Sequence, residues 1–207
     1  MQLPVLHVDD WLVVADKPAG QLAVPGRGEA GRDNLLALLE RHLGPLHVVH
    51  RLDQATSGLI VFARTLPALR HLHRAFAARE VNKAYVAVVH GHMAEPSGMI
   101  DLPLSADWPN RPRQKVDPEH GKPSLTRWTL NEHLDGPRSR LTLEPLTGRS
   151  HQLRVHLRAI GHGIVGDRLY GDDADAHPPR LLLHAQTLTL AHPGTGQRQS
   201  WHSPARF

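Results

Sequence analysis

With 207 residues, 40% of them apolar, the chain is long enough to bury a normal globular core, which excludes general disorder. The formal net charge is +4 and the sequence pI is about 9.9, which favours a polyanionic partner and nucleic acid first. Cysteine is absent, which excludes disulfides, thiolate metal sites and a cysteine nucleophile. The N-terminus lacks a signal-peptide pattern and no run of about 18 apolar residues occurs, so we expect a cytoplasmic protein that does not contact a membrane.

Short apolar runs in the first half predict strands and helices in irregular alternation. Residues 11–15 and 22–24 predict two strands separated by a turn. Asp33 is predicted to cap a helix that has leucines at helical spacing and that stops at Gly44. Residues 59–63 predict a buried strand, 66–80 an amphipathic helix and 85–89 another strand.

The second half contains one long irregular segment. Residues 96–123 are rich in Pro, Gly, Asp and Arg and predict a long ordered loop or hairpin arm. Strands are predicted at 125–130, 141–145, 181–183 and 188–190, and a helix at about 150–160 that ends at Gly161. Because strands dominate and helices intervene irregularly, we expect an α+β fold with a mixed, mostly antiparallel sheet and flanking helices. No repeat or long linker occurs, so residues 1–207 are expected to form a single domain.

The most informative segment is residues 50–61, HRLDQATSGLIV. Asp53 is placed on a loop that precedes an apolar strand, and active sites are commonly built in such places. Taken alone, the segment also fits a structural ion pair between Arg51 and Asp53, with Thr56 and Ser57 as turn-forming residues.

The complete segment resembles the signature around the catalytic aspartate of the RluA family of RNA pseudouridine synthases. Further family motifs follow in the family's order, namely KPAG at 17–20, KAY at 83–85, GRSHQLRVH at 148–156, and then GH at 161–162, GD at 166–167 and LYG at 169–171. Ordered motifs spread over about 150 residues are far more specific than any one of them. Residues 101–123 are similar to the arm of short family members that lack an S4-type domain. Ser150 and Gly163 depart from the common threonine and proline, and neither change removes a catalytic group.

The resemblance implies the pseudouridine synthase fold and an isomerase. The reaction breaks the N1 glycosidic bond of a uridine, turns the uracil and rejoins it through C5. No atoms are gained or lost, so no cofactor is expected. The implied partners are stem-loops of 23S rRNA and of the tRNA anticodon arm, and a monomer is expected. Two alternatives stay open: the same chemistry on a different rRNA or tRNA site, and a non-catalytic RNA-binding module.

The same resemblance implies three catalytic residues. Asp53 is the catalytic carboxylate. Arg154 is the arginine that keeps the Asp53 carboxylate ionised when bound RNA excludes water from it. A helical wheel separates Arg154 from the leucines of its helix, although a surface helix with solvated arginines fits as well. Tyr85 resembles the active-site tyrosine that stacks on the uracil, and an ordinary core tyrosine is the alternative.

Further residues are expected to contact RNA. The target uridine must be flipped out of its stack, and Arg51 resembles the family's candidate for filling the vacated space. The arm combines an aromatic side chain with cations, which suits RNA loops, although a solvated loop is the alternative. Three histidines of the motifs are expected to position the loop and the helix, namely His50, His151 and His156. The predicted RNA-binding or base-flipping residues are Arg51, His50, Thr56, Arg149, His151, Trp108, Arg111, Arg113 and Lys115.

The 17 histidines raise the question of a metal site. The nearest pairs, His71 with His73 and His90 with His92, lack the i, i+4 spacing of a helical zinc motif. Without cysteine or an obvious third ligand, no metal is expected.

Overall fold

A computed structural model describes residues 3–26, 31, 33–171 and 180–207. The chain divides into two compact units, Met1–Lys83 with His184–Arg206, and Ala84–Leu183 with Phe207. The expectation of one domain over residues 1–207 stays a prediction. Among the helices in the described part of the chain, none is both long and apolar enough to cross a bilayer.

The structure contains three helices and twelve strands in its described part. The helices are α1 (Leu35–Leu43), α2 (Leu66–Ala77) and α3 (Gln152–Ala159). The strands are β1 (Val5–Val8), β2 (Leu12–Lys17), β3 (His47–Val48), β4 (Ser57–Ala63), β5 (Asn82–His90), β6 (Ser97–Asp101), β7 (Leu104–Ala106), β8 (Gln114–Val116), β9 (Leu125–Leu134), β10 (Arg138–Pro145), β11 (Leu183–Ala191) and β12 (Arg198–His202).

The first unit is built around β4, whose seven residues are all buried. β2 pairs antiparallel with β1 on one side and with β4 on the other. β11 pairs parallel with the start of β4 and antiparallel with β12, while β3 pairs with the end of β4. Helix α2 buries Ala68, Leu72 and Ala75 in a core shared with Val61 and Leu188. A strand that is covered on both faces does not show the alternation of apolar and polar residues that is typical of a surface strand. The sequence of β4, SGLIVFA, accordingly lacks this alternation.

Helix α1 starts differently from the prediction. Asn34, and not Asp33, caps it, because the Asn34 side chain accepts the N–H of Ala37 at 3.0 Å. The predicted strand at 22–24 is wrong. Its carbonyls accept the N–H groups of Leu35 and Leu36, so they satisfy the free first turn of α1 instead of a sheet. The helix ends at Gly44 with φ +82°, as predicted.

The second unit contains an antiparallel sheet in the order β5-β10-β9-β6. β7 and β8 form a separate two-stranded hairpin joined through a single 3-10 turn at Trp108–Asn110. The predicted arm at 96–123 therefore contains this hairpin, but its first part is a regular strand, β6, at the edge of the sheet. The predicted strands at 125–130 and 141–145 and the helix at 150–160 are confirmed. β4 and β11 pair parallel, whereas the other strand pairings described above are antiparallel. The prediction of an α+β fold with a mixed, mostly antiparallel sheet is therefore confirmed.

Candidate functional site

Asp53 lies partly buried on the loop between β3 and β4 in the first unit. The backbone turns sharply there, because the N–H of Thr56 donates to the carbonyl of Asp53 at 3.1 Å. Gly58, the second residue of β4, has φ +110° and packs directly on the backbone of Ala185 in β11. A Cβ atom at position 58 would overlap that backbone, so only glycine fits. The parallel pairing of β4 with β11 thus fixes the point where the Asp53 loop ends.

Lys17 supports the Asp53 loop from inside the unit. Its side chain is fully buried, and Nζ donates to the carbonyls of Pro18 at 2.9 Å, Gln21 at 2.7 Å and Gln54 at 3.0 Å. Gln54 also exchanges two hydrogen bonds with Gly20, one from the Gly20 N–H at 2.8 Å and one from its own Nε2 at 2.9 Å. The KPAG segment therefore holds the backbone of the residue next to Asp53. The motif was noticed in the sequence, but this role was not predicted, because lysines are rarely buried.

A buried hydrogen-bond chain holds the other end of the loop. His184 Nε2 donates to the carbonyl of Ser203 at 2.9 Å, which leaves Nδ1 to accept the hydroxyl of Ser57 at 2.8 Å. The Ser203 hydroxyl in turn donates to Asp16 at 2.7 Å. Ser57 begins β4 four residues after Asp53, so this chain fixes the entry to the strand. Nothing in the local sequence around Ser57 indicated His184 as its partner.

His50 acts as a neutral hydrogen-bond acceptor beneath the loop. The N–H of Val61 donates to His50 Nε2 at 3.2 Å, and the His50 ring stacks on Phe76 with centroids 4.8 Å apart. Burial, together with the charge of Lys83, lowers the pKa of His50 to about 3. Burial also lowers the pKa of Lys83, whose Nζ lies 5.7 Å from the Phe76 ring centroid. These contacts agree with the positioning role expected for His50.

Two other predicted residues of this segment differ in exposure. Arg51 is exposed, whereas Thr56 is only 3% exposed. Arg51 can therefore meet a ligand directly, while Thr56 contributes to the conformation of the loop.

Arg154 lies in the second unit and is buried, with 4% of its side chain exposed. Its Nε donates to Asp167 Oδ2 at 2.7 Å, and its Nη2 donates to Asp167 Oδ1 at 2.6 Å. Asp167 Oδ1 also accepts the N–H groups of Leu169 at 3.0 Å and Tyr170 at 3.2 Å. The alternative of a solvated surface arginine is therefore wrong for Arg154. Asp167 was noticed only as part of the GD motif, and the pairing of Arg154 with Asp53 stays a prediction.

Tyr170 connects three parts of the second unit. Its hydroxyl accepts the backbone N–H of Gln114 at 2.7 Å and forms a second hydrogen bond of 2.7 Å with His151 Nδ1. Its ring centroid lies 5.1 Å from the guanidinium carbon of Arg154. His151 precedes α3 in the left-handed conformation, with φ +54° and ψ +16°, which is uncommon for residues other than glycine. A constrained residue of this kind often marks a functional region.

Buried polar side chains of the GRSHQLRVH motif fasten α3 to β9. Gln152 accepts from the Thr147 hydroxyl and the Arg149 N–H, and its Nε2 donates to the Leu125 carbonyl and the Thr126 hydroxyl. His156 bonds the same Thr126 hydroxyl at 2.9 Å and the Leu102 carbonyl at 2.9 Å. Burial lowers the pKa of His156. These bonds agree with the positioning role expected for His156, while Arg149 is exposed.

The hairpin arm presents a stacked cation to the solvent. Trp108 is 66% exposed, and the guanidinium carbon of Arg111 lies 3.6 Å from its ring centroid. Arg113 and Lys115 are exposed on the same hairpin. The arm is ordered by its own hydrogen bonds, including one of 2.8 Å from Ser105 to Asp117.

Tyr85 is partly buried on β5, where it pairs with Leu143 of β10.

One group of three potential metal ligands occurs in the described part of the chain, formed by His7, Asp9 and His192. Asp9 Oδ2 lies 2.7 Å from His7 Nε2 and 2.8 Å from His192 Nε2. His192 Nδ1 accepts two backbone N–H groups of the following turn, so the ring proton lies on Nε2 and points at Asp9. A metal-binding histidine instead donates from its second nitrogen to an acceptor. The arrangement therefore fits a hydrogen-bonded clasp and not a metal site.

The pKa of Asp9 follows from the same clasp. Burial raises it, but the hydrogen bonds from His7, from two backbone N–H groups and from His192 outweigh burial and hold the pKa below its ordinary range. Asp9 therefore stays ionised as the acceptor of both rings.

Comparisons with known proteins agree with one another. The family described as RNA pseudouridylate synthase matches residues 11–159. The dual-specificity RNA pseudouridine synthase RluA of Escherichia coli strain K12 is 49% identical over 206 residues, which cover 99% of this chain and 94% of that protein. RluA of Yersinia pestis is 46% identical over 204 residues, 98% of this chain and 99% of that one. The solved structure of human RNA pseudouridylate synthase domain containing 1 superimposes with a TM-score of 0.82 and 29% identity over 98% of this chain and 83% of that one.

Proposed function

Because this chain belongs to the RluA family of RNA pseudouridine synthases, which isomerise uridine in RNA, we propose that Asp53 is the catalytic carboxylate of that reaction. The C1′–N1 bond of the target nucleotide breaks, the uracil turns, and C5 bonds to C1′ while the C5 proton leaves and N1 regains a proton. A carboxylate beside the sugar either attacks it or stabilises positive charge at the anomeric carbon, as carboxylates do in glycoside hydrolysis.

The bracing of the Asp53 loop carries this proposal. Lys17 and Gly20 both donate to the carbonyl of Gln54, and Ser57 is tied to His184. A catalytic group must keep its geometry while RNA binds, and buried supporting hydrogen bonds achieve that. A turn that served only to connect two strands would not need a buried lysine beneath it.

Two further assignments follow from the family motifs. We propose that Arg154 keeps Asp53 ionised, and the buried, bidentate contact with Asp167 supports a guanidinium that is held in one orientation. We propose that Tyr85 stacks on the uracil. Its position on β5, which pairs with β10 from Tyr85 to His90, supports a ring held by a rigid element.

The proposed substrate is structured RNA, specifically a stem-loop of 23S rRNA and the anticodon stem-loop of tRNA. Similar proteins are dual-specificity enzymes by name, and the exposed Trp108–Arg111 stack offers the aromatic and cationic surface that unpaired bases favour. Arg113, Lys115 and Arg149 are proposed phosphate contacts, and Arg51 is proposed to enter the space left by the flipped uridine. His50, Thr56 and His151 are proposed to shape this surface. We also propose that the enzyme acts as a monomer in the cytoplasm.

Release of tritium from transcripts that carry 5-tritiated uridine tests the proposal, since the C5 proton leaves only when C5 bonds to the sugar. We expect Asp53→Asn to bind a target stem-loop within about threefold of the unchanged protein and to release no tritium. Asp135→Asn, at an exposed turn, is the matched control and should be fully active. Normal release by Asp53→Asn overturns the assignment. Binding without release by the unchanged protein would favour the non-catalytic module instead.

A further inference from the structure

Tyr170 belongs to the LYG motif at 169–171. Three links join it to the arm, to the start of α3 and to Arg154, and the first of them starts in the arm. The Tyr170 hydroxyl accepts the N–H of Gln114, the first residue of β8. Across the hairpin Gln114 pairs with Ala106, so the exposed tip of the arm lies between these two positions. A displacement of the tip therefore acts directly on this hydrogen bond.

The second link runs from Tyr170 to the start of α3. The same hydroxyl bonds His151 Nδ1 at 2.7 Å, and the two rings meet edge to face with centroids 5.6 Å apart. His151 holds a left-handed backbone conformation that costs free energy, so its side-chain contacts stabilise the way α3 begins. Arg154 is one turn further along this helix.

The third link runs from Tyr170 to Arg154 itself. The N–H of Tyr170 donates to Asp167, whose carboxylate binds the guanidinium through two short hydrogen bonds. The face of the Tyr170 ring lies 5.1 Å from the same guanidinium. Tyr170 thus contacts the arm, the residue that begins α3 and the arginine on α3.

We propose that Tyr170 is a positioning residue that couples the seating of RNA on the arm to the orientation of Arg154. The inference rests on the proposed function, in which the arm binds RNA and Arg154 serves Asp53. RNA that engages the Trp108–Arg111 stack fixes the hairpin, the hairpin fixes the Tyr170 hydroxyl through Gln114, and the hydroxyl fixes the start of α3. The enzyme then turns over faster on RNA that occupies the arm than on RNA that reaches the loop of Asp53 alone.

Tyr170→Phe tests the coupling, because it removes the hydroxyl and leaves the ring beside Arg154. We expect the single-turnover rate at saturating stem-loop RNA to fall about tenfold, while the dissociation constant for RNA and the melting temperature change little. Gln114→Pro removes the N–H from the arm side and should give a similar fall in rate. The double variant should be no slower than Tyr170→Phe alone, since that change already deletes the hydrogen bond between the Tyr170 hydroxyl and the Gln114 N–H. Gln114→Pro also keeps the test decisive if Tyr170→Phe folds poorly.

A second arm of the experiment uses Arg111→Ala, which removes the stacked cation. In the unchanged background it should weaken RNA binding and lower the saturating rate, and in the Tyr170→Phe background it should weaken binding equally without lowering the rate further. Independent, multiplicative losses of rate would overturn the coupling, as would an unchanged rate in Tyr170→Phe. Activity of Asp53→Asn in the same assay would instead overturn the proposed function, so the two failures are distinguishable.

Discussion

The Lys17 amino group donates to the carbonyl of Gln54 at 3.0 Å, one residue beyond the proposed catalytic carboxylate. The amino group is fully buried and binds three backbone carbonyls. Its positive charge stays solvated by these carbonyls in place of water.

Replacing this lysine should affect both stability and rate. We expect Lys17→Met to lower the free energy of unfolding by about 3 kcal/mol, because three hydrogen bonds from a charged donor are lost. The rate at saturating RNA should fall more than RNA affinity, because the loop of Asp53 loses its support. Urea unfolding and single-turnover kinetics measure the two effects. The exposed Lys122→Met should change neither, and a stable, fully active Lys17→Met protein would contradict the bracing role.

Gly58, at the start of β4, is expected to tolerate substitution poorly. Gly58→Ala combines an unfavourable φ of +110° with overlap on the Ala185 backbone, so we expect a loss of about 2–5 kcal/mol in unfolding free energy. Gly136→Ala shares the positive φ but meets open space, and should cost only about 1–2 kcal/mol. Thermal and urea unfolding compare the two variants, and equal losses would show that the close contact with β11 is unimportant.

The Arg154–Asp167 pair should be sensitive to the loss of either partner. Asp167→Asn leaves a buried guanidinium without its counter-charge, and we expect a loss of about 3 kcal/mol in unfolding free energy. Arg154→Met combined with Asp167→Asn should lose less stability, because no unpaired charge remains and the amide oxygen can still accept the N–H groups of Leu169 and Tyr170. The exposed Arg127–Glu144 pair is the control, and Arg127→Gln should cost at most about 1 kcal/mol. Similar losses for the single and double variants would contradict this account.

The lowered pKa of His50 predicts that the free energy of unfolding depends on pH. Its pKa is about 3 in the folded state and 6.5 as a free histidine, so between these values the unfolded chain binds more protons. The free energy of unfolding therefore falls as the pH falls from 6.5, by up to about 1.4 kcal/mol per pH unit from this one group. His50→Gln keeps an acceptor for Val61 but does not titrate. Urea unfolding between about pH 6 and 4.5 should give a flatter dependence for His50→Gln than for the unchanged protein. Identical slopes would rule out His50 as a source.

The clasp of His7, Asp9 and His192 predicts insensitivity to metals. Two backbone N–H groups already donate to His192 Nδ1, so binding a cation through Nε2 would require a ring without any proton. We expect EDTA to leave tritium release and melting temperature unchanged, and added Zn²⁺ not to raise the melting temperature. A rise in melting temperature on adding Zn²⁺ that Asp9→Asn abolishes would revive a metal site here.

The sequence predicted elements best where the periodic signal was strong. Helix α2 and the buried strand β4 carry unmistakable apolar patterns, and both are present. The short edge strand β1 and the polar strand β12 were missed, because their side chains alternate between partly buried and exposed without an apolar run. Of the strand predicted at 181–183 only Leu183 belongs to β11, which runs on to Ala191 and also contains the strand predicted at 188–190.

The chemistry of the site was only partly readable from the chain. The motifs identified Asp53, Tyr85 and Arg154 as candidates, since these residues stand inside recognisable strings. The supporting contacts were not readable, because they join residues far apart in sequence. His184 reaches Ser57 only through the parallel pairing of β11 with β4, and Asp167 reaches Arg154 through a turn that its own carboxylate caps. Neither geometry follows from local spacing.

The hydrogen bond between Ser57 and His184 spans 127 positions of the chain. During translation the early segments leave the ribosome first, so the Asp53 loop emerges long before the strand that closes over it. We expect a nascent chain without β11 to lack a settled loop and to be inactive. We therefore expect this RNA pseudouridine synthase to gain catalytic competence only after β11 has been synthesised.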